Sequence, residues 1–168
     1  MGKRSEFERK ERDFYPTPFR ATLPLIPHLP ENVNFAEPCC GEMDLVHHLE
    51  SIGHRCNYCS DIERGHDALD IKSFEAEVDY IITNPPWSRP ILHEMITHFR
   101  NLKPTWLLLD ADWMHTKQSS EYIKYCRKIV SIGRVNWFPD SNSVGKDNCC
   151  WYLFDKEMPK FGTEFVGI

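Results

Sequence analysis

Apolar and polar residues alternate along this chain in short runs that predict strands separated by helices. Val33–Glu37 and Arg55–Ser60 read as strands, and Val78–Thr83, with its Val, Tyr and two Ile, reads as a buried one. Thr105–Leu109 has the same character. Between these last two, Leu92, Met95, Ile96 and Phe99 recur at i, i+3, i+4 and i+7, one face of a helix. Pro90 sits at the favoured first turn of that helix. Further helices are predicted near Phe19–Ile26, over Leu45–Ile52 with Gly53 closing it, and over Ser119–Lys128. A short third strand is predicted over residues 67–71. Ile129–Trp137 and Cys149–Phe154 read as strands joined only by the polar loop Pro139–Asn148, so they predict an antiparallel hairpin at the sheet edge. The alternation predicts an α/β fold with a mostly parallel sheet. It forms one domain over 13–168, preceded by a flexible charged arm at 1–12.

Composition narrows the class. The 168 residues suffice for one sizeable core, and 41% hydrophobic with 27% charged residues is the balance of a soluble globular chain. No apolar run reaches membrane-spanning length, and the charged N-terminus is not a secretory signal, so a cytoplasmic setting and no membrane partner are expected. Seven cysteines, an odd number spread along the chain, fit reduced thiols. The net charge of -5 excludes a strongly basic nucleic-acid binder, but the charge is uneven. Glu37 to Asp79 holds eleven acids against three bases, whereas Lys117 to Arg134 holds five bases against Glu121 alone. That second stretch is either a phosphate-facing surface or an ordinary solvated face.

The sharpest motif is Asn84-Pro85-Pro86-Trp87, placed where the buried strand Val78–Thr83 ends. Ligands of open α/β sheets bind beyond the carboxyl ends of strands. An exocyclic amine of a nucleobase is a poor nucleophile, because its lone pair is conjugated with the ring. The Asn84 side-chain oxygen and the Pro85 carbonyl can each accept one of its N–H groups and so favour a pyramidal nitrogen. Pro85 and Pro86 stiffen the backbone that aims them. Trp87 offers a flat face to a base removed from its stack.

A second segment, Glu37-Pro38-Cys39-Cys40-Gly41-Glu42-Met43, follows a strand and precedes a helix, as nucleotide-type binding turns do. Together the two segments resemble the S-adenosylmethionine-dependent amino-methyltransferases, in particular the adenine-N6 and cytosine-N4 DNA group, whose first motif reads acidic-Pro-x-x-Gly-x-Gly. Glu37, Pro38 and Gly41 match it, and Met43 replaces the second glycine. The resemblance covers residues 13–155 and implies a Rossmann-like methyltransferase fold with S-adenosyl-L-methionine as cofactor. It implies that Glu37, Pro38, Cys39 and Gly41 form the cofactor turn and that Met43 places a side chain beside the cofactor's methionine end. Asp61 and Ile62 would meet the ribose, and Asp67 and Ala68 the adenine. Tyr15, Thr17 and Pro18 would approach the cofactor carboxylate. Residues 138–155 are similar to the terminal hairpin of short phage and prophage methyltransferases.

The implied activity is DNA adenine-N6 methylation, since the cytosine-N4 enzymes often carry Ser in place of Asn84. Cytosine-N4, an RNA base or single-stranded DNA remain open, as does a degenerate, non-catalytic binder. Restriction-type relatives carry a separate target-recognition domain. None is expected here, so target choice would fall to the 139–148 loop or to a partner protein. Trp113, His115, Trp137 and Lys146 are candidate substrate contacts. No metal is expected. Cys56 and Cys59 are a single Cys-x-x-Cys pair, and in a regular strand positions three apart face opposite ways.

Overall fold

The apolar runs pair into one seven-stranded sheet. In chain order the strands are β1 (Asn34–Glu37), β2 (Arg55–Cys59), β3 (Tyr80–Thr83), β4 (Thr105–Asp110), β5 (Cys126–Arg134), β6 (Asn148–Phe154) and β7 (Glu164–Val166). The α-helices are α1 (Phe19–Thr22), α2 (Asp44–Glu50), α3 (Arg89–Leu102) and α4 (Ser120–Ile123). The structure, a computed structural model, describes residues 15–137, 145 and 147–168. The arm at 1–12 and most of the 139–148 loop, including Lys146, lie outside the described residues.

The strand order is β2-β1-β3-β4-β6-β5-β7. β2, β1, β3 and β4 run parallel, and β6 is antiparallel to both β4 and β5. The C-terminal hairpin is present, but it is not the edge. β7, only three residues long, adds in parallel to the outer side of β5. A three-residue strand has no periodicity to announce it.

Two other expectations change. Residues 67–71 do not form a strand. The Asp67 carboxylate accepts the Leu69 N–H at 2.9 Å and caps a 3-10 turn over Ala68–Asp70. The helix expected over Ser119–Lys128 is only the single turn of α4, because Cys126 is drawn into the sheet opposite Phe154 and is fully buried there. Sheet pairing overrides local helix preference.

Helices cover both faces, which is why β4 is buried at every position from Thr105 to Leu109. Its side chains alternate. Leu107 and Leu109 join one core with Leu92, Met95, Ile96 and Phe99 of α3, while Trp106 and Leu108 join the other with Leu45, Val46 and Leu49 of α2. α1 belongs to the second core, and the Trp151 indole N–H donates to the Ala21 carbonyl at 2.8 Å. Among the described residues, no helix is long and apolar enough to cross a membrane.

β1 has β2 on one side and β3 on the other, so the chain reverses direction across the sheet there. The loops leaving β1 and β3 diverge, and a crevice opens between them.

Candidate active site

That crevice is a cavity of about 350 Å³. The size lies within the range of small-molecule sites, roughly 300–1,000 Å³. Its floor is the turn after β1. Gly41 has φ 48°, and Met43, which precedes α2, has φ 70°. Such left-handed backbone suits glycine and costs other residues about 1–2 kcal/mol. The turn is fastened to the end of β2. The Cys40 N–H donates to the Ser60 carbonyl at 2.9 Å, and the Gly41 N–H donates to Asp61 Oδ2 at 2.8 Å. Asp61 Oδ1 accepts the Glu63 N–H at 2.9 Å, so this buried carboxylate braces two loops at once.

Glu37 is buried at the end of β1 and accepts the Cys39 N–H at 3.1 Å. Burial pushes its carboxyl from 4.5 up to about 8. The folded chain therefore binds a proton that the unfolded chain gives up from about pH 4.5. The stabilisation from this group is fully present below about pH 4.5 and is lost as pH rises to about 8. Glu37→Gln should flatten the fall of Tm over that window, as measured by thermal melts at several pH values. Parallel melting curves for the two proteins would show that Glu37 does not carry the effect. Burial also raises the Cys39 thiol well above its ordinary value. It pushes Cys40 to about 12, with Cys59 adding to the shift.

Of the residues implied for the cofactor, Tyr15, Thr17, Glu37, Pro38, Cys39 and Gly41 line the cavity. Asp61, Ile62, Asp67 and Ala68 line it from the β2 side. Pro18 does not line it and instead precedes α1. Asn84 and Pro86 line the opposite rim. Pro85 is buried and Trp87 is half-buried and packs against both cores, and neither side chain lines the cavity. The Trp87 indole N–H donates to the Leu108 carbonyl at 3.0 Å, and the ring meets Trp137 edge-on at 5.8 Å. Trp137 in turn contacts Tyr15 at 6.2 Å, so aromatic rings link the loop after β3 to the cavity lining. Downstream, Arg89 and Asp110 form an ion pair at 3.0 Å that pins the loop's far end to β4.

Met43 does not line the cavity. Its side chain packs against the core under α2, so the expected crowding of the cofactor's methionine end does not arise. Met43→Gly should leave the Kd for S-adenosylhomocysteine within about twofold of wild type in a calorimetric titration. Tenfold tighter binding would return the side chain to the site.

Trp113 is corrected as a substrate contact. It is fully buried among Tyr152 and Phe154, and its indole N–H donates to His93 Nε2 at 3.2 Å. An aromatic just past a strand end can turn up to the site or down into the core, and this one turns down. His115 is exposed and does not line the cavity. Lys146 lies outside the described residues. The sequence reading missed the apolar wall from Leu69, Ile91 and Met95. Ile91 was detectable as an apolar residue one step off the buried face of α3.

One further reading changes, and one left open is narrowed. β2 carries a bulge at Asn57, because the register passes from Cys56 opposite Phe35 to Tyr58 opposite Ala36. Cys56 and Cys59 therefore pack on the same face, and Cys59 Sγ lies 3.3 Å from Cys40 Sγ. Among the described residues no three His, Cys, Asp or Glu side chains converge to hold a metal ion. The basic stretch 117–134 is largely neutralised. Lys124 pairs with Glu121, Arg127 with Asp155 and Lys128 with Glu164. It reads as a solvated face of ion pairs, not a free phosphate-binding surface.

No protein-family model and no curated protein matches the chain in sequence. Solved structures do match. A protein assigned as a class I S-adenosylmethionine-dependent methyltransferase from Listeria monocytogenes superposes with TM-score 0.53 at 10% identity, over 88% of this chain and 62% of its own. A dimethyladenosine transferase from Plasmodium falciparum gives 0.52 at 17%, over 85% and 63%. The methyltransferase subunit of a type I restriction-modification system from Streptococcus thermophilus gives 0.55 at 10%, over 91% and 47%. The chain has the class I methyltransferase fold. It spans less than two thirds of the length of each of these neighbours. In this chain the turn after β1 and the loop after β3 face one crevice, through Glu37–Gly41 and Asn84.

Proposed function

We propose that this chain is an S-adenosyl-L-methionine-dependent N-methyltransferase acting on the adenine N6 amine of DNA. The observation that carries the reading is that Asn84 shares one cavity with the Glu37–Gly41 turn, Asp61 and Asp67.

The donor set fits the cofactor. Leu69, Ile62 and Met95 offer apolar surface for a flat adenine. Asp67 Oδ1 caps Leu69, which leaves its second oxygen for an amino group. Gly41 lets the backbone come close to a bound ligand. The bound cofactor would supply an electrophilic sulfonium methyl. The chain's own residues do the rest. Asn84 accepts an N–H of the substrate amine through its side-chain oxygen, and the Pro85 carbonyl accepts the other. Pro85 and Pro86 hold φ near −65°, which stiffens the backbone that carries the Pro85 carbonyl before the substrate arrives. Orientation and fixed dipoles suffice, with no covalent enzyme intermediate.

A base in a duplex must leave its stack to reach Asn84, at lower cost in a single strand. Two of the structural neighbours, a dimethyladenosine transferase and the methyltransferase subunit of a restriction-modification system, support an amine of adenine and, for the second, work beside other subunits. The test is transfer of tritiated methyl from S-adenosylmethionine to separate DNA, RNA and protein pools, followed by nucleoside mass spectrometry. Label recovered as N6-methyldeoxyadenosine is expected. Label in cytosine or RNA would transfer the reading to those bases, and no label in any pool would end it.

A further inference from the structure

The Asn84 side chain does not stand alone at the cavity rim. Its amide nitrogen donates to Thr17 Oγ1 at 3.2 Å, across 67 residues of sequence. Thr17 is itself fixed. It is buried, its carbonyl accepts from His48 Nε2 at 3.1 Å, and it lies just before α1. A primary amide has two faces of opposite character, and half a turn about its last bond exchanges acceptor for donor. With the nitrogen held by Thr17, the oxygen is the end left for a ligand. A donor in that place would repel an incoming N–H.

We propose that Thr17 is a positioning residue that orients the Asn84 amide so that its oxygen meets the substrate. This rests on the reading of Asn84 as the amine acceptor. It makes the site selective for a group that brings N–H donors. It also gives Thr17 a task separate from the cofactor contact that the family resemblance implies.

The test uses Thr17→Val, which keeps the shape and removes the hydroxyl, and Thr17→Ser, which keeps the hydroxyl. Methyl transfer is followed over a range of cofactor concentrations up to saturation, and hydrogen exchange of the Asn84 side-chain amide is followed by NMR, with the resonance assigned by its loss in Asn84→Ala. Thr17→Val should lower kcat about tenfold, the upper range for one hydrogen bond, and speed the exchange. Thr17→Ser should restore both. A rise confined to the KM for S-adenosylmethionine, with kcat intact, would overturn the proposal. So would equal losses in the two variants, or an Asn84 amide whose exchange ignores Thr17→Val. If the wild-type protein labels no substrate pool, the methyltransferase reading fails, while the exchange measurement still decides the Thr17–Asn84 bond.

Discussion

Asn84→Ala should lower kcat for methyl transfer by about 10²- to 10³-fold at saturating cofactor, the effect of removing one oriented dipole from a charge-developing site. The amine nitrogen gains positive charge as it attacks, and its N–H groups become stronger donors. An acceptor aimed at them is therefore worth more in the transition state than in the bound complex. The loss should fall on kcat more than on KM. Calorimetry with S-adenosylhomocysteine serves as the control, because Asn84 and the Glu37–Gly41 turn line the cavity from different loops. Equal methyl transfer by both proteins would remove the mechanism. Loss of S-adenosylhomocysteine binding in step with activity would turn Asn84 into a cofactor contact.

Asp61→Ala should weaken S-adenosylhomocysteine binding by about 10- to 100-fold. The reason is not mainly a lost contact with the ligand. Asp61 accepts the Gly41 N–H with one oxygen and the Glu63 N–H with the other, and it is buried. Hydrogen bonds to a charged group contribute about 1.5–3 kcal/mol each, and removing the acceptor leaves two backbone donors with lost partners. The turn after β1 and the 3-10 turn Ile62–Arg64 then have to be ordered by the ligand itself, which appears as lost affinity. Asp61→Asn keeps one acceptor and should fall between. The measurement is the Kd together with Tm. A wild-type Kd for Asp61→Ala would show that the turn holds its shape by other means.

The sequence carried the parts of this molecule that rest on local rules. The Leu92–Met95–Ile96–Phe99 stripe and the run Trp106–Leu109 have periods that admit one reading each, and both form the elements expected of them. That Glu37–Gly41 and Asn84 would lie at strand ends was legible, because each segment begins where a buried strand gives way to residues that cannot continue it, and both line one cavity. What failed depended on partners far along the chain. Nothing in Arg55–Cys59 reveals that Asn57 bulges out of register, since the bulge is a property of its pairing with β1. Cys126 looks helical until Phe154 is beside it. The stretch 117–134 stayed open between a phosphate-facing surface and a solvated face because Asp155 and Glu164, which pair with Arg127 and Lys128, lie further along the chain. Trp113 gives no sign of which way its ring will fall.

The bond from Trp151 to Ala21 has a consequence for how the protein is made. α1, just downstream of Thr17, is held by a side chain 130 positions further along. During synthesis Asn84–Trp87 leaves the ribosome before the strand that secures this early helix. The nascent chain therefore carries one rim of the cavity for several seconds before α1 gains its partner, and this part of the fold is completed only after β6 has docked.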